Sequence, residues 1–560
     1  MGKSLVLLLV LVFLATSCAV GILPVKSQST SREIDIKPDG SIVDTDPVTP
    51  ILQNGNVYTF TGNVYGRLDI QKSNVVVDGA GYAIIKSEMD FAVIVGTSGN
   101  HPEWVGVNGI TIMNLRIVGF NYGITLGGEG NIVQRVNITD SQGYNGVSIW
   151  VSGSNHAIRE CRITGNAGYG MLIHATGVVL SDNYIADNGN FGINFYDRAA
   201  TLRNNILNNN RVGPFLMEEM SEPFQISSSD IDPSNTVDGK PVCYWVNEHD
   251  KTVPSDAGYV FLDNCTNINV KGLSINRNST GYFFHGSSGI SLIRTENSTI
   301  SDNVLNGTGI YLSYSSQDIL VANNTITSGG VHSWGSNISI VENSISGSKD
   351  SGISLGGPAY AIVTKNVLTG CGTGISLEQA GQNRITQNRI ADCGTGINLF
   401  SSNNNIFQQN SFINNKQQVS ETHYSLQWPL DTYYQSVNNN WDSNFWSDYN
   451  GTDSNGDGFG DTPYIVYENY TDHYPLLTPF APAFVQPSSS PSSSPSLLSS
   501  PSPSLSPLLS PSPSPSVPDG TPNHQSESTP FPTVPVVAAS AAVIVLVSIG
   551  LLVYFKKRKH

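Results

Sequence analysis

Gly372-Thr-Gly-Ile-Ser-Leu377 and Gly394-Thr-Gly-Ile-Asn-Leu399 are near-copies set 22 residues apart. How that spacing is read decides the fold. Each copy is followed by a second short signal, Asn383-Arg-Ile-Thr-Gln-Asn388-Arg-Ile390 and Asn405-Ile-Phe-Gln-Gln-Asn410-Ser-Phe-Ile413. The glycine ahead of the apolar residue recurs at Gly123, Gly146, Gly170, Gly192 and Gly213. After a gap it resumes at Gly289, Gly309, Gly330, Gly352, Gly374 and Gly396. The steps are 23, 24, 22 and 21, then 20, 21, 22, 22 and 22. Within each unit, short apolar/polar alternations are split by Gly, Asn and Asp, which is the pattern of strands and turns. No unit has room for an ordinary helix. A unit this short cannot bury its own apolar face, but a stack of such units can, which is the logic of a solenoid.

The columns of the repeat sharpen this. The residue after each glycine is Ile124, Val147, Met171, Ile193, Ile290, Ile310, Val331, Ile353, Ile375 or Ile397. Two further on come Leu126, Ile149, Ile173, Phe195, Leu292, Leu312, Leu355, Leu377 and Leu399. Both sets are expected to point inward. Thr125, Ser148, Asn194, Ser291, Ser354, Ser376 and Asn398, between them, are expected to face water. Asn183, Asn205, Asn303, Asn324, Asn343, Asn366, Asn388 and Asn410 fit a turn ladder, because Asn tolerates the left-handed conformation and its amide can bond the coils above and below. The expected fold is all-β, a right-handed parallel β-helix with coils of about 22 residues stacked about 4.8 Å apart.

Around this rod the chain changes character. Residues 1–27 read as a secretory signal, with Lys3 ahead of an apolar core too short to span a membrane. The β-helix is expected over 28–437, with 214–288 out of register as an elaborated coil or a lateral insertion. Residues 438–479 are aromatic and acidic, suited to capping the last coil. Residues 480–533 are Pro and Ser with scattered Leu, a stalk that favours extended polyproline geometry. Residues 534–555, containing the apolar run Val536–Phe555, have the length of one transmembrane helix. Lys556-Lys-Arg-Lys559, in the tail 556–560, places that tail in the cytoplasm and the solenoid outside. The expected location is the cell membrane, crossed once. Charged residues are only 13 % and the net charge is −16, so nothing here is a nucleic-acid footprint.

Cys371 and Cys393 lie one repeat apart, and Cys243 and Cys265 are also 22 apart. Stacked coils bring such pairs within reach of a disulfide. A ladder of small buried thiols is the other reading.

The clearest chemical motif is Asp453-x-Asn455-x-Asp457-Gly458-Phe459-Gly460-Asp461. Oxygen ligands at positions 1, 3 and 5, glycine at 6 and an acid at 9 match the first part of a calcium loop, to which Phe459 adds its carbonyl. Position 12 is Tyr464 in place of the bidentate glutamate, so Asp448 or Asp472 would have to complete the sphere. A structural Ca2+ ion is the expected cofactor, and the alternative is an acidic turn without metal. Four residues after successive repeat glycines lie Trp150, His174 and Tyr196, with Trp334 and Phe400 in the same column further along. If outward, they form a stripe on which sugar rings could stack; if not, they pack under the 214–288 segment. Asp182, Asp187, Asp197 and Glu160 lie nearby, but no column shows the acid pair that glycoside hydrolysis needs. No nucleophile motif, phosphate loop or zinc spacing is visible, and no Met/His tract offers a soft copper site.

The repeat resembles that of the NosD-like family, the carbohydrate-binding and sugar-hydrolase class of parallel β-helices. Asn235-Thr-Val-Asp-Gly-Lys-Pro-Val-Cys-Tyr-Trp245 and the ending Phe445-Trp-Ser-Asp448 through Asp461-Thr-Pro-Tyr464 to Tyr474-Pro-Leu476 resemble archaeal surface members. The resemblance implies the fold over about 35–480 and, by family name, copper processing for nitrous oxide reductase. A stalk and anchor depart from a soluble periplasmic factor, so copper is not carried over. The expectation is a non-enzymatic, membrane-anchored surface protein that binds polysaccharide or other surface components. A surface polysaccharide lyase or glycoside hydrolase, and a copper-handling accessory protein, are the alternatives.

Overall fold

The computed structural model describes residues 32–96, 106–196, 199–218, 229–277, 288–357, 360–422, 435–467 and 470–480. The signal expected at 1–27 and the stalk, transmembrane helix and tail beyond residue 480 lie outside the described residues. The chain divides into units 1–486 and 487–560, the second wholly outside them. Among the described residues there are strands and turns and no helix. No helix there is long and apolar enough to cross a membrane.

A regular coil has three strands, as in Thr373–Glu378, Arg384–Thr386 and Arg389–Ala391. Each pairs in parallel with its counterpart one coil on, Ile375 with Ile397, Ile385 with Phe407 and Ile390 with Phe412. Alternation turns Ile375, Leu377, Ile385 and Ile390 inward, all fully buried. The asparagine ladder runs through the turns: Asn388 donates through Nδ2 to Oδ1 of Asn410 at 3.0 Å, and its own Oδ1 accepts the backbone N–H of Asn366 at 2.9 Å. The ladder asparagines do not themselves take the left-handed conformation. The residue before each one does, as at Asp302, Glu342, Lys365, Gln387 and Gln409. That residue turns the backbone, and the asparagine that follows swings inward to bond the neighbouring coils. Asp302 and Glu342 are thereby exposed turn residues.

The repeat glycine has a steric cause. A Cβ on Gly374 would lie 2.4 Å from Cγ2 of Ile390 and 2.6 Å from the carbonyl oxygen of Gly396. The glycine sits at the inner corner of the coil, where the core side chain of the third strand already fills the space.

The rod is not one uninterrupted stack. Thr236–Val237 pairs antiparallel with the start of Lys240–Val246 through a tight turn at Asp238 and Gly239, both with positive φ. Lys240–Val246 then opens a second stack by pairing in parallel with Tyr259–Asp263. The described residues of 214–288 therefore form solenoid coils around a hairpin, with no lateral insertion among them. Two buried cores result, one on each side of this hairpin. Val242, Tyr244, Tyr259 and Phe261, outward on the second stack, join the core of the first. Tyr259 meets Phe215 edge-on at 5.3 Å. This packing buries outward positions: Ser291 is 1 % exposed, where the alternation alone places it in water, and Ser354, Ser376 and Asn398 are only half-buried further along.

At the far end Trp441 stacks on Phe407 at 3.9 Å, Trp446 on Phe412 at 4.4 Å and Tyr464 on Trp446 at 4.5 Å. Fully buried Asp472 ends the asparagine ladder by accepting the backbone N–H of Asn444 at 2.9 Å, its Nδ2 at 3.1 Å and the indole N–H of Trp446 at 3.1 Å.

Candidate functional site

Trp150, His174 and Tyr196 do not share a column. Trp150 pairs with Thr125 and Leu172, whereas His174 pairs with Ser152. Tyr196 follows Phe195, which pairs with Ile173, so it takes the place beside His174; its side chain lies outside the described part. The cause is at Gly146. The corner residue opposite Gly123 and Gly170 is Ser148, fully buried, not Gly146. Val147 accordingly pairs with Tyr122 and Tyr169 instead of with the inward isoleucines. What the first stack carries instead is a column with Phe91, Tyr122, Tyr169 and Phe191 just ahead of the corner. Phe91 and Tyr122 stack at 4.6 Å, and Trp150 leans on Tyr122 at 6.0 Å. In the column of Trp150, Thr125 and Asn194 are buried while Trp150 and Leu172 are half-buried, and His174 on the same face is exposed.

An exposed aromatic pair lies on the second stack. Tyr314 is 64 % exposed and stacks on Trp334 at 6.3 Å with ring planes 21° apart. Trp334 lies over Gly356, where a Cβ would come within 2.3 Å of the indole, and a Cβ on Gly357 would stand 3.5 Å from the Tyr314 ring. Two glycines therefore clear a notch in which the aromatic pair lies against bare backbone. Gly356 pairs with Glu378 and Glu378 with Phe400, so a carboxylate and a third aromatic continue the column. This is the column to which the repeat count assigns Trp334 and Phe400.

Acids gather where the sequence shows only a lead-in. Arg32–Ile36 pairs in parallel with Val64–Ile70, setting Glu33 beside Arg67 and Asp35 beside Asp69. Ile34, Ile36, Leu68 and Ile70 take the inward positions, so the charged residues share the outer face. Burial first, then the neighbouring Asp35 and Glu33, push the Asp69 carboxyl up to about 6. The signal available in the sequence was the alternation Glu33-Ile-Asp35-Ile and Arg67-Leu-Asp69-Ile; pairing the two needs a register across an irregular intervening segment.

In the acidic loop the carboxylates turn onto backbone amides. Asp453 accepts the N–H groups of Gly456 at 2.6 Å and Gly458 at 3.0 Å, Asp457 accepts that of Phe459 at 2.9 Å, and Asp461 accepts that of Ser454 at 3.0 Å. Asn455 donates to Asp457 at 2.9 Å. The hydroxyl of Tyr464 donates to Asp448 at 3.0 Å. Asp472 is occupied by the end of the ladder and does not complete this loop.

All five cysteines within the described residues are free and buried. Cys371 and Cys393 do stack, the backbone N–H of Cys371 donating to Sγ of Cys393 at 3.4 Å. The thiol hydrogen bond with Cys393, and then burial, hold the Cys371 thiol above its ordinary value. Cys243 and Cys265 do not stack. Cys243 pairs with Val260, 17 residues on, because this coil is shorter than the repeat. The structure therefore corrects the disulfide reading for both pairs to buried thiols, the second for want of a shared column.

The chain matches the family model described as periplasmic copper-binding protein (NosD) over residues 234–451, and that described as right handed beta helix region over residues 103–329. No curated protein matches it. Solved structures similar to it include the A-module of mannuronan C-5 epimerase AlgE4 from Azotobacter vinelandii, at 13 % identity and TM-score 0.22, covering 68 % of this chain and 88 % of that one. Another is the catalytic unit of a GH87 alpha-1,3-glucanase from Streptomyces thermodiastaticus, at 14 % identity and TM-score 0.24, covering 58 % and 61 %. A third is a mutant tailspike protein of E. coli bacteriophage HK620 in complex with pentasaccharide, at 11 % identity and TM-score 0.28, covering 66 % and 70 %.

Proposed function

The chain is a member of the NosD-like right-handed β-helix repeat family, and from that premise we propose that it is a surface-displayed solenoid that binds polysaccharide or another surface component. The observation that carries this reading is the exposed Tyr314–Trp334 stack lying in a glycine-lined notch beside Glu378. Aromatic faces offer sugar C–H groups a flat apolar partner, and the neighbouring carboxylate offers hydroxyls an acceptor. The anchor in this reading is the apolar run Val536–Phe555 followed by four basic residues. Asp35 and Asp69, paired in one column beside Arg67, are what a lyase or hydrolase reading would draw on. Asp69 is only 1 % exposed, however, and out of reach of a polymer, so binding is the reading kept. Copper handling is not part of the proposal: the group among the described residues that could hold a metal is three carboxylates, a hard-ion set.

The test is a glycan array probed with the full-length chain in mild detergent, with product analysis of each bound polymer. Tyr314→Ala is expected to weaken retention of the bound glycan about tenfold, the size of one aromatic contact. No retention by the wild type would sink the reading, unchanged retention by Tyr314→Ala would move the site elsewhere, and shortened polymer would establish an enzyme.

Within this reading the loop 453–461 holds a structural Ca2+ ion. Support comes from the oxygen spacing and from Asp453 accepting amides of the turn through both its oxygens, which shapes the backbone around one point. Calcium is expected to raise the melting temperature of the wild type by a few degrees and chelator to reverse this. In Asp453→Ala/Asp457→Ala that part of the response should vanish; an unchanged response would argue against the ion.

A further inference from the structure

We propose that Glu33, Asp35 and Asp69, on the outer face of the first coils, form a second site for a hard divalent cation, calcium above magnesium. The inference is independent of glycan binding and of the loop at 453–461.

One carboxylate oxygen of each side chain lies within 4.8 Å of the other two. Two basic side chains border the group; each makes a direct contact with one acid and acts on Asp69 only at longer range. Arg67 pairs with Glu33, and Lys37 donates to Oδ2 of Asp35 at 2.7 Å. Asp69 is the most deeply buried, at 1 % exposure, and receives only the Gln71 amide on Oδ2 at 3.4 Å. Its Oδ1 is buried and without a hydrogen-bond partner, as is Oδ1 of Asp35. A buried carboxylate short of hydrogen-bond donors is unfavourable, and beside two further carboxylates it is more so. Two buried acceptor oxygens without donors, within a group of three acids, are what a cation would satisfy.

Calcium accepts six to eight oxygens in a flexible arrangement, whereas magnesium demands a near-ideal octahedron, so an irregular set of three carboxylates on two strands suits calcium better. Carboxylate-only ligation excludes a preference for soft ions. The Gln71 amide, turned to present its oxygen, and water would fill the remaining positions.

The test is calcium titration calorimetry on the full-length, chelator-stripped chain in the Asp453→Ala/Asp457→Ala background, so that the C-terminal loop cannot contribute. One equivalent of calcium is expected to bind, with magnesium at least about tenfold weaker. Asp69→Asn, which keeps the side-chain shape, and Glu33→Gln, at a more exposed position, should each lose that equivalent. Asp69→Asn should melt no lower than its parent in chelator, since it removes a buried charge. Failure of the background chain to take up calcium, or uptake unchanged in both variants, would overturn the site and leave a carboxyl held by a proton.

Discussion

Asn388→Leu is expected to destabilise the second stack by about 4–6 kcal/mol, far more than a typical surface change. The leucine is close in volume, so the effect isolates hydrogen bonding. Asn388 donates to the carbonyl of Val363 at 2.8 Å, to that of Thr386 at 3.0 Å and to Oδ1 of Asn410 at 3.0 Å. Its Oδ1 accepts the backbone N–H and Nδ2 of Asn366 at 2.9 Å and 3.0 Å. Removal leaves several of these groups buried without partners, each costing about 1–3 kcal/mol. Neighbouring Gln387 holds the left-handed turn, is half-buried, and bonds Gln409 through its side chain at 3.1 Å. Gln387→Ala should therefore cost under about 1 kcal/mol. Because stacked repeats can unfold in parts, hydrogen exchange of the amides of Ile385 and Ile390 is the appropriate readout beside denaturant melts. Equal protection in the two variants would mean that the ladder is not structural.

Gly374→Ala is expected to cost about 2–4 kcal/mol for a single added carbon. The backbone of Gly374 is not in the left-handed region, so the penalty comes from space alone. The new Cβ would lie 2.6 Å from a backbone oxygen that cannot move without shifting the next coil. Gly370 is the control. It has φ +64°, and a Cβ added there would meet nothing within 4 Å, so Gly370→Ala carries only conformational strain of about 1 kcal/mol. A larger loss at Gly370 than at Gly374 would show that turn conformation, and not the crowded corner, fixes the repeat glycine. Thermal melts of the two variants decide this.

These two positions mark what local pattern encodes well. The Ile and Leu columns, the coil length in the regular half and the asparagine ladder all repeat at fixed spacing, and each coil contacts its neighbours in the same way. The candidate sites were less legible. Trp334 and Phe400 fall in one column because the count from 330 to 396 follows regular coils. The same count misplaces Trp150 because it passes through a coil of 25 residues, from Gly123 to Ser148, followed by one of 22, from Ser148 to Gly170. A slip of two residues keeps every side chain on its own face, so alternation cannot detect it.

The sequence by itself determined that this chain is a stack of short strands with an apolar interior, because periodicity and side-chain size act between near neighbours. The tertiary structure alone decided where the stack breaks and restarts at the hairpin beyond Val237, which glycines clear a notch for Tyr314 and Trp334, and that Asp35 meets Asp69. Those outcomes depend on register between coils of unequal length. Register is set by the packing of whole coils against one another, a property that no single stretch of residues carries.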